Sequence, residues 1–159
     1  MRLLFIFVFM SSVTFGQSNK TESNNKMLLI KNNINFNAGF LVIAYDLGLS
    51  YQRLKPHKKL YSVWTFGIDY YRIEGWGTSK YISPSIKYGI LTGLETENHF
   101  EINAGISLIS EMRGNGKNSN NIGLAVNLGY RYQAPRAGGI FRFGIGFPEL
   151  VYLGFGFSF

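Results

Sequence analysis

Residues 121–133 read NIGLAVNLGYRYQ, and side-chain size and polarity switch at every step. Ile122, Leu124, Val126, Leu128, Tyr130 and Tyr132 share one face of an extended chain, and Gly123, Ala125, Asn127, Gly129, Arg131 and Gln133 share the other. A period of two sustained this long marks a β-strand lying between two environments. The second face is small, polar and charged, so the decisive question is which solvent each face meets.

The same alternation runs outward in both directions. Upstream, residues 98–110 set Phe100, Ile102, Ala104, Ile106 and Leu108 against Glu101, Asn103, Gly105 and Ser107. Residues 79–90 set Ile82, Ile86, Tyr88 and Ile90 against Ser83, Ser85, Lys87 and Gly89, with Pro84 weakening the start of that strand. Residues 60–72, 44–53 and 32–41 repeat the pattern around Phe66, Leu49 and Phe36. Downstream, residues 139–147 oppose Phe141, Phe143, Ile145 and Phe147 to Arg142, Gly144 and Gly146. The chain closes with LVYLGFGFSF at 150–159, in which Val151, Leu153, Phe155, Phe157 and Phe159 alternate with Tyr152, Gly154, Gly156 and Ser158.

These make eight segments of about nine to eleven residues or slightly more, the length a tilted strand needs to cross a bilayer. Turn chemistry separates them, as in Lys55-Pro56-His57, Gly114-Asn115-Gly116 and Ala134-Pro135-Arg136, and every junction permits an antiparallel hairpin. The pattern predicts an all-β fold, an eight-stranded antiparallel up-and-down barrel. The interior of such a barrel is only wide enough for side chains to fill it. Bulky Phe, Tyr, Trp and Leu from eight strands do not fit there, whereas glycine, serine, asparagine and a few long polar chains do. The bulky face therefore points outward. It carries no charge at the strand centres, so its solvent is lipid and the barrel is transmembrane. Tyrosines cluster near strand ends, Tyr45, Tyr70, Tyr81 and Tyr152 at one rim and Tyr51, Tyr61, Tyr88, Tyr130 and Tyr132 at the other, as interfacial belts would.

The inward face holds six charges that balance, Asp46, Asp69 and Glu101 against Lys87, Arg131 and Arg142. Buried charges persist only when paired and hydrogen-bonded. A network centred on Glu101 is expected, with Lys87 beside it on the adjacent strand and the two arginines reached across the lumen. Its simplest role is to fill and close the barrel; a gated ion path is the sharper alternative.

Composition fits this picture. The 159 residues include 19 Gly, 14 Phe and 10 Tyr, poor helix material, and no Cys, so neither disulfides nor thiolate metal sites are expected. The net charge of +7 is scattered, and no nucleic-acid binding is expected. The opening MRLLFIFVFMSSVTFGQ has a positive start, a short apolar core and small residues before Gly16, which reads as a Sec signal peptide over 1–16. Residues 17–31 read as a flexible lead-in, and 32–159 as the barrel. Only two histidines occur, His57 in a turn and His99 at a strand start, and neither has a serine two residues away on its face. No phosphate loop, metal-binding helix motif or nucleophile elbow is present. The expectation is no catalytic residue, no metal and no cofactor.

The stretches LGLSYQRL (47–54), FEINAGISL (100–108) and GYRYQAPRAGGIFRFGIGF (129–147) with the terminal FGFSF resemble small eight-stranded outer-membrane β-barrel proteins of Bacteroidota, similar in architecture to OmpA/OmpX-type barrels. The resemblance spans residues 32–159 and implies fold and location more than activity. It also implies that the C-terminal aromatic strand, Phe155, Phe157 and Phe159, is the signal read by the barrel-assembly machinery. The expected protein is a monomer of the outer membrane, in contact with its lipids and lipopolysaccharide, with a structural or envelope-interaction role. A narrow, porin-like conduit and a lipid-modifying barrel enzyme are the alternatives.

Overall fold

The computed structural model describes residues 28–41, 44–74, 78–94, 96–112, 119–134, 138–147 and 150–159. The expected signal peptide and most of the lead-in lie outside the described residues, as do Trp76, Arg136 and most of the loop from Gly114 to Asn120. Each alternating segment is a strand: β1 (Asn32–Leu41), β2 (Ala44–Pro56), β3 (Leu60–Glu74), β4 (Thr78–Thr92), β5 (Asn98–Glu111), β6 (Asn120–Gln133), β7 (Gly139–Phe147) and β8 (Leu150–Ser158). Each pairs antiparallel with its sequence neighbours, and β8 pairs with β1, placing Phe155 opposite Phe36, so the sheet is a closed barrel.

The stagger can be read from the register. A row of paired residues that starts at Tyr130 passes through Phe143, Leu153, Ala38, Leu47, Tyr70, Ile82 and Ser110, and returns to β6 at Asn120. The return point is ten residues from the start. Eight strands with that stagger tilt by about 40° from the barrel axis and climb about 2.5 Å along it per residue. Both chain ends of the described barrel, Asn32 and Ser158, lie at one rim, here the terminal rim.

Burial follows the two-residue period. In β2 inward and outward residues alternate from Asp46 to Leu54, and β8 alternates from Val151 to Phe159. The outward set is almost wholly apolar and well exposed, from Ile34 and Phe36 through Phe66, Ile106 and Leu124 to Phe157. Monomeric soluble proteins rarely expose more than a few hundred Å² of contiguous apolar surface, and here it encircles the barrel. The inward set is mainly polar, with Asn33, Asn35, Gln52, Thr65, Asn103, Asn127, Gln133 and four serines on β2, β4 and β5 buried, and it includes a smaller apolar group around Leu54, Val63 and Leu91.

Two sequence details behave as their chemistry requires. Pro84 keeps its place opposite Ile68 on β3, but the ladder to β5 skips Ser83 and Pro84, because proline has no N–H to give. Gly105 lies so close to β4 that a Cβ there would stand 1.9 Å from the Ile86 carbonyl oxygen. The tyrosine belts are narrower than the sequence suggests: Tyr61 and Tyr152 point inward and are buried, because parity with Thr65 and Gly154 places them on the lumen face. Their neighbours Tyr51, Tyr130 and Tyr132 do face outward at the terminal rim, where their hydroxyls donate to Asn32, Asn98 and Glu97.

Close approach at Gly105 gives a direct test. Gly105→Ala should lower folding stability by about 1–3 kcal/mol in denaturant titrations in detergent micelles. Gly139→Ala, where a Cβ meets nothing within 4 Å, should leave it within about 0.5 kcal/mol.

Candidate functional site in the barrel lumen

Starting from the terminal rim, the first layer of the lumen is an apolar floor. Leu54, Tyr61, Val63 and Leu91 project inward from β2, β3 and β4, and Leu29 from the segment before β1 packs onto them, with Leu94 alongside. The Leu29 N–H donates to the Tyr61 hydroxyl (2.9 Å), and the Leu54 N–H donates to the Lys31 carbonyl (2.7 Å). The last residues of the expected flexible lead-in thus form a plug against the barrel. His99 meets the Tyr61 ring edge-on, with centroids 6.5 Å apart, and its Nδ1 donates to the Thr92 carbonyl (2.6 Å).

Above and beside the floor sits the polar network. Glu101 is 1% exposed, and its two oxygens are held from four directions. Arg142 Nε donates to Oε2 (3.0 Å) and Nη2 to Oε1 (2.9 Å), a bidentate fork; Asn103 (2.7 Å) and Gln52 (3.0 Å) also donate to Oε1. Arg131 Nη1 lies 3.7 Å from Oε2, an ion pair without a hydrogen bond. The Arg131 guanidinium instead donates to Gln52 Oε1 (2.7 Å) and Gln133 Oε1 (2.9 Å from Nε), and its Nη2 faces the Asn33 side-chain oxygen at 2.7 Å. Gln133 Nε2 continues to Ser158 Oγ (3.0 Å), and Gln52 Nε2 to Thr65 Oγ1 (3.1 Å). Side chains from seven strands, all but β4, are therefore knitted across the lumen. A bidentate arginine fork, with two further donors on Oε1 and a second guanidinium facing Oε2, is the geometry in which Coulomb attraction can offset the desolvation of buried charge.

Of the six charges expected inside, all are buried. Glu101, Arg131 and Arg142 come together as expected. Lys87 does not sit beside Glu101: the register places it opposite Gly105, while Glu101 lies opposite Leu91. Lys87 lines a separate small cavity with Asp69, Asn37, Ser50 and Tyr152, on the far side of Arg142. That cavity offers about 10 Å³ to the centre of a water molecule, room for about one water. Asp46 lies farther toward the opposite rim, on the strand residue that pairs with Gly39 and Tyr71. Phe155, Phe157 and Phe159 are outward and exposed near the terminal rim, and the Phe159 N–H donates to the Asn32 carbonyl (2.9 Å).

Sequence reasoning missed the floor and the amides. Leu54, Tyr61, Val63 and Leu91 were available to it, since each continues the inward parity of Gln52, Thr65 and Gly89 toward the rim. Gln52, Gln133, Asn33 and Asn103 share that parity too, but amides carry no charge to be balanced and so attract no attention. One contact at the rim has the elements of a nucleophile and base: His57 Nε2 lies 3.1 Å from Ser62 Oγ. Ser62 is buried and its hydroxyl also reaches back to the Lys55 carbonyl (3.5 Å), which ties the pair into the β2–β3 turn. Among the described residues no group of three or more His, Asp and Glu could hold a metal ion.

The chain matches no protein-family model, no curated protein and no solved structure.

Glu101 is the anion that two buried guanidiniums depend on. Glu101→Gln should destabilise the barrel by about 3–5 kcal/mol in a denaturant titration, because the buried Arg131 and Arg142 both lose the carboxylate they share. A loss below about 1 kcal/mol would show that the fork contributes little.

Proposed function

We propose that this protein is an integral β-barrel of a bacterial outer membrane, exported through Sec with cleavage near Gly16, and that its lumen is closed. Its role is structural or one of interaction within the envelope, and it performs no chemistry of its own. The observation that carries this reading is the inversion of the two faces. A continuous apolar wall surrounds a polar, ion-paired interior, the reverse of what a barrel in water needs.

The dimensions agree. On the outer wall the first charged side chains are Arg53 and Lys55 near the terminal rim and Arg72 and Lys80 near the other. Between Arg53 and Arg72 the wall is uncharged over about 25 Å along the axis, the height of the apolar band of outer-membrane barrels. Trp64, Tyr51, Tyr88, Tyr130 and Tyr132 form an aromatic girdle just inside the terminal rim. In this proposal the terminal rim faces the periplasm, since an even number of strands returns the chain to the side from which it entered.

A closed lumen is supported by stacked obstructions: the Leu29 floor, the Glu101 network and a cavity with room for about one water. Glu101 is enclosed, with Oε1 accepting from Arg142, Gln52 and Asn103 and Oε2 accepting from Arg142 and facing Arg131. A structural use of the network follows more readily than an ion path. Kinship with the small Bacteroidota barrels, a monomeric state and recognition of Phe155, Phe157 and Phe159 by the assembly machinery belong to the same proposal.

Two measurements check it. Unheated protein in detergent should migrate faster on a gel than the boiled chain, and a purified chain that is soluble and monomeric without detergent would sink the membrane reading. In planar bilayers the protein and its Glu101→Gln variant should both be electrically silent; reproducible single-channel steps from the unaltered protein would assign it to conduction instead.

A further inference from the structure

On the wall formed by β1 to β4, two features meet at the terminal rim. The first is a group of cations. Lys31, Arg53, Lys55, Lys58 and Lys59 are all exposed, and none forms an ion pair among the described residues. The described carboxylate of the same rim, Glu97, is engaged by the Tyr132 hydroxyl on the β5–β6 side. Arg53 and Lys55 are consecutive outward residues of β2, and Arg53 lies directly opposite Trp64 of β3 and Asn32 of β1.

The second feature begins one outward residue farther up the wall. A groove of about 400 Å³ runs between Ile34, Leu49, Tyr51, Phe66 and Ile68. It shares Leu49 and Ile68 with a second groove of about 370 Å³ that ends at Tyr70 and Ile82. Together they form an apolar trough along the wall, leading away from the cations toward the other rim. Tyr51 stands at the junction, with its hydroxyl turned back to Asn32 (2.8 Å), and Trp64 stacks on Phe66 with centroids 6.5 Å apart.

An unpaired cation group at the wet edge continued by an apolar trough is complementary to one kind of molecule, an amphiphile with an anionic head and a hydrocarbon tail. We propose that this wall is a binding site for an anionic glycerophospholipid of the periplasmic leaflet. Its phosphate lies between Arg53 and Lys55, Lys31, Lys58 and Lys59 add to the field, and one acyl chain lies in the trough. The assignment rests on the membrane reading above and names the lipid class and the place. A soluble polyanion would use the cations and leave the trough empty, which is why the lipid is the better occupant. Basic residues at a membrane surface each favour anionic lipid by roughly a fivefold factor.

Trp64 reports on the site. The chain has two tryptophans, and Trp76→Phe leaves Trp64 alone, next to Arg53. The protein is reconstituted in neutral phosphatidylcholine vesicles containing a small fraction of acyl-brominated phosphatidylglycerol, or the same fraction of acyl-brominated phosphatidylcholine. Trp64 fluorescence should be quenched more strongly by the phosphatidylglycerol than random mixing allows. Arg53→Gln and Lys55→Gln should each weaken that preference roughly fivefold. Leu49→Phe, which fills the trough where its halves meet, should weaken it with no change in charge. Heat-modifiable migration shows that each variant is folded. Equal quenching by the two brominated lipids overturns the proposal and leaves the membrane reading intact. Quenching by neither overturns the membrane reading itself. Loss of the preference on adding inorganic phosphate at constant ionic strength assigns the cations to free phosphate and also overturns the lipid site.

Discussion

Eight strands staggered by ten residues close into a barrel whose interior has room for side chains and little else. Every inward polar group must therefore find its partner on another strand across the same narrow space. Glycine makes this possible. The Asp69 carboxylate lies over Gly48, the Asn35 and Asn37 amides lie over Gly156 and Gly154, and the Tyr152 hydroxyl lies over Gly129 and Gly144. A Cβ at any of these glycines would stand within 3 Å of the polar atom it faces. Small residues on one strand and long polar residues on its neighbour are two parts of one packing solution.

The same closure decides where stability resides. All backbone edges are paired, so the sheet offers no template for further strands. The outward wall gains nothing by burial within the protein. What distinguishes this barrel from a set of hairpins is the cross-lumen network, in which Arg131 of β6 reaches Gln52 of β2 and Arg142 of β7 grips Glu101 of β5. In a low-dielectric surround such bonds are stronger than in water, and an unpaired member costs more. Two arginines facing one glutamate leave a local positive excess, and the neutral amides of Gln52, Gln133 and Asn33 take up the donors the carboxylate cannot reach.

Much of this is legible in the sequence, for a physical reason. A barrel wall has only two faces, so a two-residue alternation reports burial residue by residue, and the eight strands and their inward charges follow from it. The ion network is legible in outline, since buried charges must balance. Its wiring is not, because the partner of Lys87 depends on register: four residues along β5 separate the level of Glu101 from that of Gly105, which faces Lys87. The apolar floor is hidden for a different reason. Near the rim the inward face turns from polar to apolar at Leu54, Val63 and Leu91; beside Val63 and Leu91 the outward Trp64 and Ile90 are apolar too, so the alternation fades, and around Leu54 the outward Arg53 and Lys55 reverse it. Leu29 lies outside any alternating stretch, and only its contact with Tyr61 reveals what it does.

That segment also links the inside of the barrel to its rim. Leu29 turns inward to close the floor, and two residues later the Lys31 carbonyl accepts the Leu54 N–H while its side chain remains exposed beside Arg53 and Lys55. Leu54 takes part in both arrangements, its side chain in the floor and its backbone in the tie to Lys31. Removing the plug would therefore also free one cation of the rim. Conversely, an anionic headgroup drawn to that rim would hold Lys31 against the barrel and, through the Leu54 bond, favour the seated position of Leu29. A lipid bound at the wall and the plug in the lumen would then stabilise one another through Lys31 and Leu54.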